Sequence, residues 1–158
     1  MPLTTLNVNS LSCYATTSNS STAIRHRHIC TIIADLLSHC LILCLQETHL
    51  NLHDTTALQN TFPDHTILYN NGHDNRAGTI TLIDRRLLKH YTLAQHELPS
   101  CTRGHAQVIS LRPRHPRGEV HSSPLQIYNL YLPSQSHWRK RPILEALLGL
   151  PPNRTGRT

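Results

Sequence analysis

The chain has 158 residues, the length of one ordinary domain. Apolar residues make up 38% and charged residues 15%, the latter well below the usual share of about 25%, so the core is lean and Thr, Ser, Asn, Gln and 13 His fill the difference. The formal charge is +6, and partial protonation of the histidines adds about three more at neutral pH, which points to a polyanionic partner.

The longest apolar run, Cys40 to Leu45, is far shorter than the ~20 residues that span a bilayer. The first 24 residues carry no side-chain charge, but they lack both a basic n-region and an apolar h-region, so they do not read as a secretory signal. Five Cys without a C-x-x-C pair indicate neither a disulfide framework nor a zinc ribbon. Reduced thiols and an intracellular setting are expected.

In chain order, Leu3 to Val8 is β-compatible and is stopped by Asn9-Ser10. Ser12 to Thr22 is a polar loop. Thr22 is placed to cap a helix from Ala23 to Ser38, with Ile24, Ile29, Ile32, Ile33, Leu36 and Leu37 on its apolar side. Leu41 to Leu45 is short and continuously apolar, as expected of a strand covered on both faces, and ends in Gln46-Glu47-Thr48-His49. A polar connection leads to a strand at Thr66 to Tyr69, a turn-rich loop from Asn70 to Ala77, and a strand at Thr79 to Ile83. Gln107 to Leu111 and Leu125 to Leu132 complete the strands, and the Pro/Arg/His-rich segment from Arg112 to Ser123 separates them. A helix from Trp138 to Leu148 is stopped by Gly149 and Pro151-Pro152, and residues 151–158 form an unstructured tail. Helices only at the two ends of a run of strands favour an α/β sandwich of mixed sheets.

The chemistry has few places to reside. Gly-rich phosphate loops, HExxH and GxSxG are absent. Three strand ends instead carry poor strand formers that make good ligands: Asn7-Val8-Asn9, Gln46-Glu47 and Asn129-Leu130-Tyr131. Period-two alternation puts Asn7 with Asn9, Glu47 in phase with Leu43 and Leu45, and Tyr131 with Asn129. If the ends converge, a carboxylate, carboxamides and a phenol meet where α/β sheets bind ligands. A carboxylate after an apolar strand is partly desolvated and favours a nearby cation, and a lone carboxylate suits Mg²⁺ better than zinc. Each residue also has an ordinary reading: a capping or solvated Glu, an Asn turn, a half-buried Tyr. The set His26, His28, Cys30 and the pair Cys40/Cys44 are poorly placed for zinc. Basic clusters at Arg25/Arg27, Arg85/Arg86, Arg112/Arg114/Arg117 and Arg139/Lys140/Arg141 are either phosphate contacts or a solvated surface, and Trp138 either stacks on a base or anchors the last helix.

At these residues the chain resembles the endonuclease/exonuclease/phosphatase superfamily, most closely the endonuclease domain of LINE-type retrotransposons. The likeness is carried by Leu6-Asn7-Val8-Asn9-Ser10-Leu11, by Leu43-Cys44-Leu45-Gln46-Glu47-Thr48-His49-Leu50, by Arg76-Ala77-Gly78-Thr79-Ile80-Thr81-Leu82-Ile83 and by Ile127-Tyr128-Asn129-Leu130-Tyr131-Leu132-Pro133. The resemblance implies a DNase I-like four-layer α/β/β/α sandwich with mixed β-sheets, incomplete here and covering residues 1–150. It implies Mg²⁺, or Mn²⁺ in its place, held by Glu47. Asn7 and Tyr131 join Glu47 as catalytic residues, and Asn9 and His49 lie beside the substrate. It also implies hydrolysis of DNA phosphodiesters and, for a eukaryotic retroelement, a nuclear location.

Family members carry Gly-Asp-x-Asn and Ser-Asp-His motifs as well, and neither occurs in these 158 residues. The expectation is a partial endonuclease domain, inactive and poorly folding as written. The alternative is a noncatalytic remnant that at most binds nucleic acid.

Overall fold

The computed structural model describes residues 1–11, 20–72, 77–114, 123–132 and 137–148. The described elements run β1 Leu3–Asn7, α1 Ser20–His39, β2 Ile42–Gln46, α2 Leu52–Thr61, β3 His65–Asn70, β4 Thr79–Asp84, β5 Tyr91–Gln95, β6 Ala106–Pro113, β7 Leu125–Leu130 and α3 His137–Leu148. They form two sheets. Sheet A has the order β1-β2-β4-β3, with β1 parallel to β2 and the other pairs antiparallel. Sheet B has the order β5-β6-β7 and is antiparallel throughout. A mixed α/β architecture is therefore present, and the mixed pairing is confined to sheet A.

The apolar run at β2 is buried on both faces, as its composition requires. Leu43 and Leu45 face a core shared with Ile33 and Leu37 of α1 and Leu58 of α2, whereas Ile42 and Cys44 face a second core shared with Ile109, Leu111 and Ile127 of sheet B. β4 alternates in the same way, with Ile80 and Leu82 toward the helices and Ile83 toward sheet B. Each of these side chains, fully withdrawn from water, contributes on the order of 1.5–3 kcal/mol. Helices, sheet A and sheet B thus stack as layers, with the two central strands of sheet A at the middle.

α1 begins at Ser20, earlier than the expected Ala23, so Thr22 lies inside the helix and is not its cap. Ser20, Ser21 and Thr22 offer equivalent hydroxyls at successive positions, which leaves the first turn without a unique starting point in the sequence. Ile33 and Leu37, four apart, are buried, but Ile32 is 38% exposed because one residue turns the helix by about 100° and carries it off the stripe.

The segment expected as a plain polar connection contains α2. Asn51 caps it: its side chain accepts from the Asp54 backbone N–H at 2.9 Å, and the Asp54 carboxylate accepts from the Asn51 N–H at 3.2 Å. This reciprocal pair is a capping box. β5 is a second unexpected element, an edge strand paired to β6, with Leu93 packed against the inter-sheet core. α3 packs against the short turn at Ser100–Thr102 and buries Ile143.

Polar groups also join the sheets. Asn70, at the end of β3, donates to Ala106 O at 2.6 Å and Thr102 O at 3.2 Å and accepts from Gly104 N at 3.1 Å. Asn129 of β7 donates to Leu45 O at 3.3 Å, Ile80 O at 2.9 Å and Thr81 Oγ1 at 3.2 Å. Its Oδ1 accepts from Gln46 Nε2 at 2.7 Å. One carboxamide that is 1% exposed therefore ties sheet B to both central strands of sheet A. Among the described residues, no helix is long and apolar enough to cross a membrane.

Candidate active site

The three strand ends converge. Asn7 is the register partner of Gln46, and beyond that pair the backbones stay joined: Val8 N donates to Gln46 O at 3.0 Å, Ser10 N to Glu47 O at 2.7 Å and Leu11 N to Thr48 O at 2.8 Å. The ladder continues sideways. Thr48 N reaches Gly78 O at 3.2 Å, His49 N reaches Ala77 O at 2.8 Å, Gly78 N reaches Gly104 O at 2.8 Å, and Tyr131 N reaches His105 O at 2.7 Å. Segments 8–11, 46–49, 77–78, 104–105 and 131 thus form one hydrogen-bonded rim across both sheets.

This rim is where the backbone departs from ordinary geometry. Among the described residues, every non-glycine with positive φ lies on it: Asn9 (44°), Ser10 (82°), Glu47 (55°), His49 (54°) and Ala77 (59°). Asn tolerates the left-handed region, whereas each of the others costs roughly 1–2 kcal/mol there. Strain of this kind persists where surrounding contacts over-determine it, and it concentrates at functional sites. It also corrects the expected phase, since Glu47 follows the end of β2 in left-handed backbone and no longer alternates with Leu43 and Leu45.

Gly78 supports the rim in a way no other residue could. Its φ is 119°, and a Cβ there would meet Thr48 Oγ1 at 2.5 Å. Close approach of 48 to 78 is what lets His49 and Glu47 leave β2 side by side with the start of β4.

Within the rim, the Tyr131 phenol lies close to the half-buried Glu47 carboxylate. Burial first, then the nearby Glu47 carboxylate and its charge, push the Tyr131 phenol up to about 12. The ring is held from the other side by His105, stacked at a centroid distance of 5.7 Å and an interplanar angle of 18°. Asn7 is exposed, and its Oδ1 accepts from Asn9 N at 3.0 Å, so the Asn pair does form a turn, one that also fixes the Asn7 carboxamide. By strand alternation Asn7 shares a face of β1 with Thr5, whose hydroxyl bonds Gln46 Oε1 at 3.1 Å beside Asn129. Asn7 therefore stands on the side of sheet A from which Tyr131 approaches.

Asn9 is exposed and His49 half-buried, both on left-handed backbone next to Glu47. Asn129, although in phase with Tyr131, is committed to the inter-sheet bonds. An Asn at the buried phase of an apolar strand was the signal for that role. His105 carries no comparable signal, because only β6 to β7 pairing sets it under Tyr131.

The donor set fits a hard cation. It consists of one carboxylate with carboxamide and phenol oxygens, and among the described residues no group of three His, Cys, Asp or Glu side chains comes together as a site for a more demanding metal would require. The basic clusters divide. Arg85 and Arg86 lie just past β4, at the end of sheet A away from Thr79 and its partner Gln46; Arg112 and Arg114 lie at the far end of β6. Arg86 is bound to the Asp84 carboxylate through Nε at 2.9 Å, and Arg114 Nε donates to Leu88 O at 3.1 Å. These four cations therefore do not border the rim. Arg117 and the Arg139 to Arg141 and Trp138 side chains lie outside what is described, as does that of Arg25.

No protein-family model and no curated protein matches the sequence. A solved structure does: the AP endonuclease LMAP from Leishmania major aligns with a TM-score of 0.55 and 20% identity over 82% of this chain and 39% of that one. The chain thus spans well under half the length of that endonuclease. Two sheets, helices on sheet A and converging strand ends are consistent with a DNase I-like fold, shared with the aligned part of that endonuclease.

Proposed function

We propose that the rim is the metal- and phosphate-contacting part of a Mg²⁺-dependent phosphodiesterase site that acts on DNA, of the type found in retroelement endonucleases. The observation that carries this reading is the convergence of Glu47, Asn7 and Tyr131 on one hydrogen-bonded rim of left-handed backbone at the junction of β1, β2 and β7. The DNase I-like fold and the net charge of +6 agree with it. Likeness to the endonuclease fold also makes a second helical layer outside sheet B part of this proposal.

Glu47 and Asn7 are the residues that would hold Mg²⁺ or Mn²⁺. The ion, when bound, supplies polarisation of a phosphoryl oxygen and stabilisation of the leaving alkoxide. Tyr131 keeps its proton throughout the neutral range, so it is a hydrogen-bond donor and not a phenolate base; its single O–H would serve a phosphate oxygen once a cation engages Glu47. Among the described residues the Asn7 amide N–H₂ has no partner, so it is placed to donate to the same group, and such preorganised donors stabilise charge developing on phosphate. Asn9 and His49 flank the substrate.

Neither Gly-Asp-x-Asn nor Ser-Asp-His occurs in the 158 residues, so we expect this polypeptide to bind cation and DNA without cutting. Two measurements test this. Glu47→Gln should weaken Mn²⁺ binding, followed by electron paramagnetic resonance, at least about ten-fold with little change in thermal stability; unchanged affinity sinks the metal reading. Supercoiled plasmid with Mg²⁺ should remain intact. Nicking that Glu47→Gln abolishes would make the polypeptide a nuclease in its own right and remove the noncatalytic alternative.

A further inference from the structure

Two clefts open beside the rim and share one wall. The first, of about 510 Å³, is lined among others by Tyr69, Gln95, Glu97, Ser100 and Arg103. The second, of about 500 Å³, is lined by Leu50, Asn51, Tyr69, Asn71, Gly72 and Arg103. Tyr69, Asn70 and Arg103 border both and mark the ridge between them; the Asn70 carboxamide is already engaged with Thr102, Gly104 and Ala106, which leaves Tyr69 and Arg103 as its open side chains. Leu50 and Asn51 follow His49 directly, and Arg103 precedes Gly104 and His105 of the rim.

Both ridge side chains are exposed, Tyr69 by 43%. Among the described residues, neither the Tyr69 hydroxyl nor the Arg103 guanidinium has a hydrogen-bond or ion-pair partner. An aromatic face and an unpaired guanidinium left side by side in water are the two groups that single-stranded nucleic acid engages, the first with a base and the second with a phosphate. Glu97 puts a carboxylate in the first cleft, which repels phosphate and accepts hydrogen bonds from base amino groups; among the described residues that line the second there is no acidic one.

We propose that the Tyr69 to Arg103 ridge is a nucleotide subsite for single-stranded nucleic acid. One base stacks on Tyr69 with its edge in the Glu97 cleft, and the adjoining phosphate pairs with Arg103 on the side facing Leu50 and the rim. This subsite rests on the nucleic-acid reading of the rim and adds the form of the substrate: a nucleotide outside a duplex. Unlike the clusters at Arg85/Arg86 and Arg112/Arg114, Arg103 lies at the rim end of the sheets.

Fluorescence anisotropy with a labelled single-stranded oligodeoxynucleotide and its duplex, in EDTA so that no metal contributes, tests the subsite on the full polypeptide. The single strand should bind more tightly than the duplex. Tyr69→Ala should weaken single-strand binding about ten-fold, while Tyr69→Phe, which keeps the ring face, retains it. Arg103→Ala should weaken binding and lower the slope of log affinity against log salt by about 0.7. Circular dichroism confirms that these surface variants fold. If wild type binds but Tyr69→Ala does not differ from it, or the duplex binds more tightly, the subsite is overturned and the nucleic-acid reading stands. If wild type binds neither oligonucleotide in EDTA but binds once Mg²⁺ is restored, the subsite is overturned and the nucleic-acid reading stands; if it binds in neither condition, both fall.

Discussion

Asn129 concentrates more of the fold in one side chain than any apolar residue does. Its amide serves a carbonyl on β2, a carbonyl on β4 and a hydroxyl on β4, and its oxygen accepts a hydrogen bond from the Gln46 side chain beside Glu47. Truncation leaves these buried groups unpaired, and a buried orphan costs about 1–3 kcal/mol. Asn129→Ala should therefore lower stability by about 3 kcal/mol in urea denaturation, more than Ile127→Val on the same strand, for which about 1 kcal/mol is expected. His65 supplies a pH dependence. Burial lowers its pKa from the ordinary 6.5, and among the described residues neither ring nitrogen has a hydrogen-bond partner. The unfolded chain then binds this proton more readily than the folded one, so the stability attached to the neutral ring is present above about pH 6.5 and is lost as pH falls through that value toward the folded pKa. Melting temperature should decline between about pH 7 and pH 5, and His65→Gln should flatten that decline. Asp84 acts in a lower window: its hydrogen bond from Arg86 holds the carboxyl below the ordinary value, so its contribution is lost only in acid.

Among the elements, β2 and α2 mark the two limits of what local pattern reveals. β2 is apolar at consecutive positions, and a segment of that kind is buried on both faces wherever it pairs. α2 has little apolar periodicity and is recognised only through Asn51 and Asp54, whose spacing closes the capping box. Asn51→Ala should cost about 1 kcal/mol and should be seen as reduced amide protection in the first turn of α2. β5 was unreadable for a different reason: an exposed edge strand needs no strong alternation, because its partner β6 supplies the register.

For the molecule as a whole, both sheets end on the same side. β1 is an edge of sheet A and β7 an edge of sheet B, and between them lies a groove of about 490 Å³ lined in part by Leu3, Ile127 and Tyr128. Leu3, Leu125 and Tyr128 are exposed there. Unpaired edges beside apolar surface favour association through added strands. Light scattering should report concentration-dependent self-association, and Leu125→Lys, which places a charge on the β7 edge, should suppress it.

The sequence alone determined the central strands, the strand ends that could carry ligands and the likeness of the Gln46 to Leu50 block to nuclease motifs. Such features depend on residues within a few positions of one another, where periodicity, composition and spacing are legible. Only the tertiary structure decided that Tyr131 meets Glu47, that His105 stacks beneath it, and that Asn129 is a bolt between sheets and not a ligand. Its bond to Leu45 spans 84 positions, and nothing in a short window records it. The same holds for charge. Fifteen Lys and Arg residues suggest a polyanion, but their value depends on which end of a strand they occupy. The pairing of β2 with β4 sets Arg85 and Arg86 away from Glu47, and the packing of β3 against the turn before β6 brings Arg103 to Tyr69. Long-range pairing is a property of the assembled sheets, because it follows from burying both faces of β2 and β4 at once.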